Sequence, residues 1–390
     1  MDTPIGERTL QDAILNGKAL LKFISPNDVG MTGSHQCGYY IPKKARHLLT
    51  PYAPNRGQNR DHSIHITWPD GRITNSVVKW YGNKTRSEYR LTRFGKDFPW
   101  LAEDCVGDLL VLIPTGPAAC AAYVLNIEED IIQIQATLGV EIHESFAVYE
   151  SGARPPFADS HECIERRFRE LATKLEAFPP TRELAEKTRA ILELCISGFH
   201  DLAVDRRLTK LIEQEYALFR MVERQLCQAE IVRPFGSVDD FLKTAGNIMN
   251  RRKSRAGWSL ENHFDTILRE SNIPFEARPR IDGNAQPDIL IPGKIAYEDP
   301  AYPAEKLCLL GLKTTCKDRW RQILNEGSRV SEKYLLTLQK GISVKQLNEM
   351  VEARVTLVVP KPLQKAYPPG SRMKILSVEQ FLDVARKLLV

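Results

Sequence analysis

The period of the apolar positions changes partway along the chain. Between residues 19 and 148 they fall in short runs, at 20–24, 64–68, 76–80, 88–92, 108–113 and 122–127, with turn signals such as Asp70-Gly71 between them. Short runs bounded by turns predict strands, and a series of them predicts a small barrel or pseudobarrel. Beyond Gly152-Ala-Arg-Pro-Pro-Phe, a Pro/Gly break, the spacing becomes helical over 161–175, 181–196 and 204–227. Ser237, with Asp240 three residues on, has the spacing of a helix start, and a short basic link at 251–257 leads to a further helix capped by Ser259. That helix carries Glu261 and His263 and turns Phe264, Ile267 and Leu268 inward, which leaves His263 on its surface. Next come a strand, a turn at Asp282-Gly283-Asn284, a strand beginning after Asp288 and a strand ending at Lys313. A helix over 317–327, a strand at 334–338, a helix at 344–352, a strand at 355–359 and a helix from Ser377 complete the chain. The predicted fold is mixed: an all-β pseudobarrel followed by an α/β core, with domains at 1–153 and 181–390 and a linker over 154–180.

Composition changes this picture little. A chain of 390 residues is long for one core, which agrees with two domains. No apolar run approaches the ~18–20 residues that span a bilayer. The first residues lack the basic and apolar regions of a secretory signal, so the expected location is the cytoplasm, away from membranes. The eight cysteines include no Cys-x-x-Cys pair, and neither a disulfide framework nor a zinc module is expected. His62 and His65, three apart on a strand, point to opposite faces and make a poor metal pair. The net charge of +5 is mild, but its distribution is uneven. Residues 40–100 hold twelve Lys/Arg against four Asp/Glu, whereas 101–150 hold nine acids and no Lys or Arg. That basic stretch is either a phosphate-binding footprint or a solvated surface.

The chemistry concentrates in Gly311-Leu-Lys-Thr-Thr-Cys-Lys-Asp-Arg-Trp-Arg-Gln-Ile-Leu-Asn-Glu326. Lys313 ends an apolar strand, Glu326 lies on the element that follows, and Asp288 precedes the run Ile289-Leu290-Ile291. Two carboxylates and a lysine at strand ends suit metal-dependent phosphodiester hydrolysis: the acids hold a hard cation such as Mg²⁺, and the lysine positions the attacking water. In Lys317-Asp318-Arg319 the arginine suits guanine and the acid suits cytosine N4, although the triplet could equally cap a helix. Arg251, Arg252 and Arg255 in the basic link are either solvated or aimed at phosphate. Lys84, Arg86, Glu88 and Arg90 alternate along an extended segment, as base-reading groups or as a polar outer face. Glu261 by its position reads as a first-turn glutamate favoured by the helix dipole.

The Asp288/Lys313 pattern resembles the PD-(D/E)xK nucleases. It departs from them at Gly311, where their acid two residues before the lysine is missing, and Glu326 stands where some restriction endonucleases of that superfamily carry it instead. The stretch 313–326 resembles the EcoRII-like (Type IIE) restriction endonucleases more closely still. The resemblance is nearly unbroken over 235–260, and it extends to the Gly/His-rich segment 25–42 and to 83–95. It implies a Type II enzyme that cuts double-stranded DNA at a pseudopalindromic CC/GG site such as CCWGG, with Mg²⁺ at Asp288 and Glu326 and with Glu261 assisting. It implies base reading by Lys317, Asp318 and Arg319, and phosphate contacts from Arg251, Arg252 and Arg255. It also implies a homodimer that binds more than one copy of the site. The N-terminal effector domain would grip the extra copy through His35, Tyr40, Lys84, Arg86, Glu88 and Arg90 and so relieve autoinhibition. Tyr89 stands where the relatives have a basic residue, which weakens that one contact. Arg206 or Arg207 is a candidate to stack on a flipped base. A structure-specific repair nuclease and a non-catalytic DNA-binding regulator remain open as other readings.

Overall fold

The computed structural model describes residues 3–32, 37–83, 86–142, 145–152, 162–317, 319–369 and 373–389. The chain forms two compact units: residues 1–153 together with 339–348 and 365–372, and residues 154–338 with 349–364 and 373–390.

The first unit is built on a curled eight-stranded sheet. Its elements are α1 (Ile5–Asn16), β1 (Lys18–Phe23), β2 (Tyr39–Ile41), β3 (Arg60–Thr67), β4 (Ile73–Tyr81), β5 (Glu88–Thr92), β6 (Leu109–Gly116), β7 (Ala119–Leu125), α2 (Glu128–Leu138) and β8 (Phe146–Glu150). The strand order is β2-β5-β4-β3-β7-β6-β1-β8, antiparallel except where β3 meets β7. Alternation along the central strands fills two cores. Leu20, Leu110 and Leu112 enter one with Trp68 and Tyr89, while Leu21, Leu109 and Val111 enter the other with Ile131 and Ile134 of α2. A strand buried on both faces reads as a continuous apolar run, which is why β6 was plain in the sequence. Lys22 shares the face of Leu20 and is buried, and Asp28 meets its ammonium there. The six expected strands are present; α1, β2, α2 and β8 were not anticipated.

The second unit begins with helices α3 (Glu162–Lys174), α4 (Thr181–Cys195), α5 (Val204–Val232) and α6 (Val238–Glu270). They are followed by β9 (Glu276–Ala277), β10 (Ile289–Ile291), α7 (Lys294–Glu298), β11 (Cys308–Lys313), β12 (Lys333–Thr337), α8 (Val344–Glu352, whose first residues are counted with the first unit), β13 (Val355–Val358), α9 (Lys361–Gln364) and α10 (Val378–Leu389). The sheet order is β13-β12-β11-β10-β9; β11, β12 and β13 run parallel, and β10 is antiparallel to both neighbours. Leu260, Phe264, Ile267 and Leu268 of α6 pack with Ile289, Ile291, Leu310 and Leu312 of the sheet and Phe381 of α10. Burying each such side chain contributes roughly 1.5–3 kcal/mol, enough to fix the sheet against α6. Among the described residues no helix is long and apolar enough to cross a membrane.

Several local expectations are corrected. Ser237 does cap α6, accepting from Asp240 N at 3.1 Å, but the helix then runs unbroken to Glu270, through the segment expected as a basic link. Ser259 is therefore a buried mid-helix residue and not a cap, and His263 is fully buried. The chain after Lys317 forms a short 3₁₀ helix, Arg319–Asn325, in place of the expected α-helix. Cys163 and Cys195 form a disulfide between α3 and α4. They are far apart in sequence and met only when the two helices packed together, so spacing alone gave no sign of the bond.

Candidate active site and DNA-facing groups

Strand geometry brings the first two catalytic candidates together. β10 and β11 pair antiparallel with Ile289 opposite Leu310, so Asp288, just before β10, lies beside the far end of β11. Its Oδ2 accepts the Leu312 amide at 2.7 Å and the Lys313 ammonium at 3.1 Å. Both side chains are partly open, Lys313 at 24% and Asp288 at 14% exposure, so they remain reachable by a ligand.

Glu326, expected on a helix, is the first residue past the 3₁₀ helix. Burial, reinforced by the negative charge of Asp288, pushes its carboxyl up to about 7, against the opposing pull of Lys313 and Lys333. The Asp288 charge is thus near enough to act on the Glu326 carboxyl. Next to it, Gly327 takes a left-handed conformation (φ 66°). The following residues are pinned: Asp282 Oδ2 accepts the Ser328 amide at 2.6 Å and the Tyr297 hydroxyl at 2.7 Å. Lys333, at the start of β12, donates to Leu324 O at 3.3 Å and so steadies the end of the 3₁₀ helix. Burial lowers the affinity of Lys333 for its proton, against the attraction of Glu326 and Asp282.

Glu261 enters from α6. Burial raises its pKa, and Arg278 opposes the rise by donating to Oε1 at 2.6 Å. Arg278 lies over the Trp258 ring at 3.9 Å, and its own amide donates to Asp288 O at 3.0 Å. One arginine thus ties Glu261 to the backbone of Asp288. Arg278, Asp282 and Lys333 were missed in the sequence, because none belongs to a motif and each acts across a fold-dependent contact.

The donor set fits a hard cation. Asp288 and Glu326 offer only oxygen, and a magnesium ion that keeps several waters and takes a substrate phosphate needs no more than one or two carboxylates. Among the described residues no group of three or more His, Cys, Asp or Glu side chains is placed to hold a metal ion.

The basic candidates are less uniform. Arg252 donates to both Glu223 oxygens at 2.8 and 2.9 Å. Arg251 lies over the Phe178 ring at 3.8 Å, and Arg255 is buried over Tyr216 and Phe219. Arg255 is buried, whereas Arg251 and Arg252 are half-buried on α6, each with a partner. Arg207 pairs with Glu270 at 2.6 Å. Lys317 is buried and Arg319 half-buried at the entry to the 3₁₀ helix, while Asp318 lies outside the described residues.

In the first unit, Asp28 staples both ends of the loop before β2. It accepts Ser25 N at 2.8 Å and Tyr40 N at 2.7 Å, and its own carbonyl accepts Gly38 N at 2.9 Å. Tyr40 pairs with Arg90 across β2 and β5. Arg90 is buried and donates to Glu88 at 3.1 Å and to Gly38 O at 3.2 Å, so it holds Gly38 at the entry to β2. Arg86 is exposed over the Tyr81 ring. His35 and Lys84 lie outside the described residues.

Comparison with known proteins adds an independent line. The family description "EcoRII C terminal" matches residues 219–382, and "Restriction endonuclease EcoRII, N-terminal" matches residues 15–149. The chain is 33% identical to the Type II restriction enzyme EcoRII of Escherichia coli, over 96% of this chain and 95% of that protein. It is 26% identical to the Type II restriction enzyme SsoII of Shigella sonnei, over 35% of this chain and 47% of that protein. The solved complex of restriction endonuclease PspGI with substrate DNA is similar at a TM-score of 0.45 and 18% identity, covering 54% of this chain and 93% of that one.

Proposed function

The chain belongs to the EcoRII family of Type II restriction endonucleases, site-specific deoxyribonucleases, and on that premise we propose that Asp288, Lys313 and Glu326 cut double-stranded DNA with Mg²⁺ at a CCWGG-like site. The observation that carries this reading is the convergence of Lys313 on Asp288 at 3.1 Å while the Asp288 charge bears on Glu326. Asp288 and Glu326 would hold the ion through their carboxylate oxygens, and the ion would supply charge neutralisation at the scissile phosphate and a more acidic water. Lys313 orients the attacking water from its Nζ and balances charge that develops on the phosphoryl oxygens. Glu261, fixed by Arg278, assists the two ligand carboxylates from beside the site. Lys317, Asp318 and Arg319 read the CC/GG pairs beside the scissile bond, since arginine can bond guanine bidentately and aspartate can accept from cytosine.

The first unit is the effector domain. It binds a second copy of the site through His35, Tyr40, Lys84, Arg86 and Glu88, and Arg90 holds the loop that presents Tyr40. Until that copy is bound, the effector domain restrains the catalytic unit. The enzyme acts as a cytoplasmic homodimer, since a two-fold protein matches a near-palindromic site. We count α3, which falls in the stretch expected as a linker, in the catalytic unit because Ile164 and Phe168 are buried with Leu211 and Leu218 of α5, and the effector domain as 1–153 with 339–348 and 365–372 clustered onto it.

Digestion of a plasmid of known sequence with Mg²⁺, followed by sequencing of the ends, tests the whole reading. Discrete ends at CCWGG-like sites support it. Cutting only at flaps or junctions would assign the fold to repair, and intact DNA would leave only a binding role.

A further inference from the structure

Gly311 stands where the resembling nucleases carry an acid, and its surroundings give that glycine a role of its own. Along β11, Leu310 and Leu312 face α6 and α10, which puts Leu309, Gly311 and Lys313 on the opposite face. A Cβ on Gly311 would lie 2.8 Å from Ile323 Cγ2, 3.2 Å from Leu335 Cδ1 and 3.9 Å from Asp288 Oδ2. Ile323 is fully buried, and a β-branched side chain is stiff at χ1, so its methyl cannot swing aside. The Ile323 carbonyl also accepts the Glu326 amide at 3.1 Å. Any lift of Ile323 is therefore passed to the backbone that carries the Glu326 side chain.

We propose that Gly311 is a positioning residue whose bare Cα seats Ile323 and so sets how closely the 3₁₀ helix delivers Glu326 to Asp288. The acid absent at 311 and the acid present at 326 are then mutually exclusive, because a side chain at 311 raises the element that carries Glu326. The inference rests on the reading of Glu326 as a metal ligand.

The test is calorimetric titration of Mg²⁺ into the full chain without DNA, with thermal unfolding and single-turnover cleavage measured alongside. The parent is compared with Gly311→Ala, Ile323→Ala, the double variant Gly311→Ala/Ile323→Ala, Glu326→Gln and Gly311→Asp/Glu326→Gln. Gly311→Ala should weaken Mg²⁺ by about tenfold or more, the range for groups that orient a ligand, and slow cleavage while DNA binding holds. In the double variant the alanine methyl takes the vacated space, so Mg²⁺ binding should return to within about threefold of the parent, a coupling expected of residues in contact. A merely structural glycine would lower the melting temperature and leave the Mg²⁺ affinity of the folded protein alone. The relocated acid in Gly311→Asp/Glu326→Gln should cut no better than Glu326→Gln. Parental Mg²⁺ affinity in Gly311→Ala, or a relocated acid that restores cleavage, overturns the proposal. Should Gly311→Ala fail to fold, the double variant must still bind Mg²⁺ more tightly than Ile323→Ala, and equal binding overturns it. If Glu326→Gln titrates like the parent, the failure lies with Glu326 as a ligand, and this inference goes with it.

Discussion

At the scale of single residues, Glu326 sets the pH response of the proposed site. Burial and the Asp288 charge place its carboxyl at about 7, above the ordinary glutamate value. In the metal-free protein this raised value favours the protonated, folded state at low pH. The corresponding stability is complete below the unfolded pKa and is lost as pH rises through about 7. Glu326→Gln should therefore melt at a higher temperature than the parent at pH 8 without metal, and at a similar temperature at pH 5. Mg²⁺ and the proton compete for the carboxylate, so Mg²⁺ affinity should climb by up to about tenfold per pH unit below 7 and level off above it. A flat titration between pH 6 and 8 would remove Glu326 from the ligand set. Asp288→Ala, Lys313→Ala and Glu326→Ala should each abolish cleavage while a gel shift still shows specific binding. Glu261→Ala should cut slowly, because a water can stand in for an assisting carboxylate.

At the scale of elements, one buried carboxylate holds three helix ends together. Asp205, in the first turn of α5, accepts Lys361 N at 2.8 Å at the start of α9, and Val378 N at 2.9 Å and Glu379 N at 3.2 Å at the start of α10. Amides at a helix start have no partner within the helix, so the carboxylate meets a need that water cannot meet there. Asp205→Ala should cost roughly 2–3 kcal/mol, read as a lower calorimetric melting temperature for the second unit. Asp205→Asn, which keeps one acceptor oxygen, should lose less, and equal losses would show that the helix starts are satisfied elsewhere. Elements of this kind were legible in proportion to how local their cause is. Alternation and capping are written within a few residues, which is why β5, α8 and the start of α6 were found. The mid-course of α6 was misread as a link because its arginines look solvated until Glu223 of α5 meets Arg252, and His263 looks exposed until Glu215 meets it at 2.8 Å. Lys313 and Asp288 stood out because each borders an apolar run, Lys313 ending one and Asp288 preceding another, and the fold sets them 3.1 Å apart. Arg278 and Lys333 could not be, since each acts on a partner brought close only by the fold.

At the scale of the whole molecule, the proposed restraint by the effector domain can be separated from simple anchoring by removing that domain, and the structure says where to cut. Helix α3 buries Ile164, Phe168 and Ala172 in the core it shares with α4 and α5, and the disulfide joins Cys163 to Cys195. A fragment beginning at residue 181 loses that face and should melt at a lower temperature than one beginning at residue 162. The first unit also takes in residues 339–348 and 365–372, where Ile342 and Tyr367 are buried, so both fragments uncover apolar surface and must be compared per folded molecule. On DNA with a single site the full chain should be sluggish and the fragment from 162 faster. A short duplex carrying the site should then speed the full chain and leave the fragment unchanged. Arg86→Ala, at an exposed position of the first unit, should blunt that stimulation without changing the basal rate. If the fragment from 162 is folded yet slower than the full chain on single-site DNA, the first unit anchors the enzyme to DNA, and the restraint does not exist.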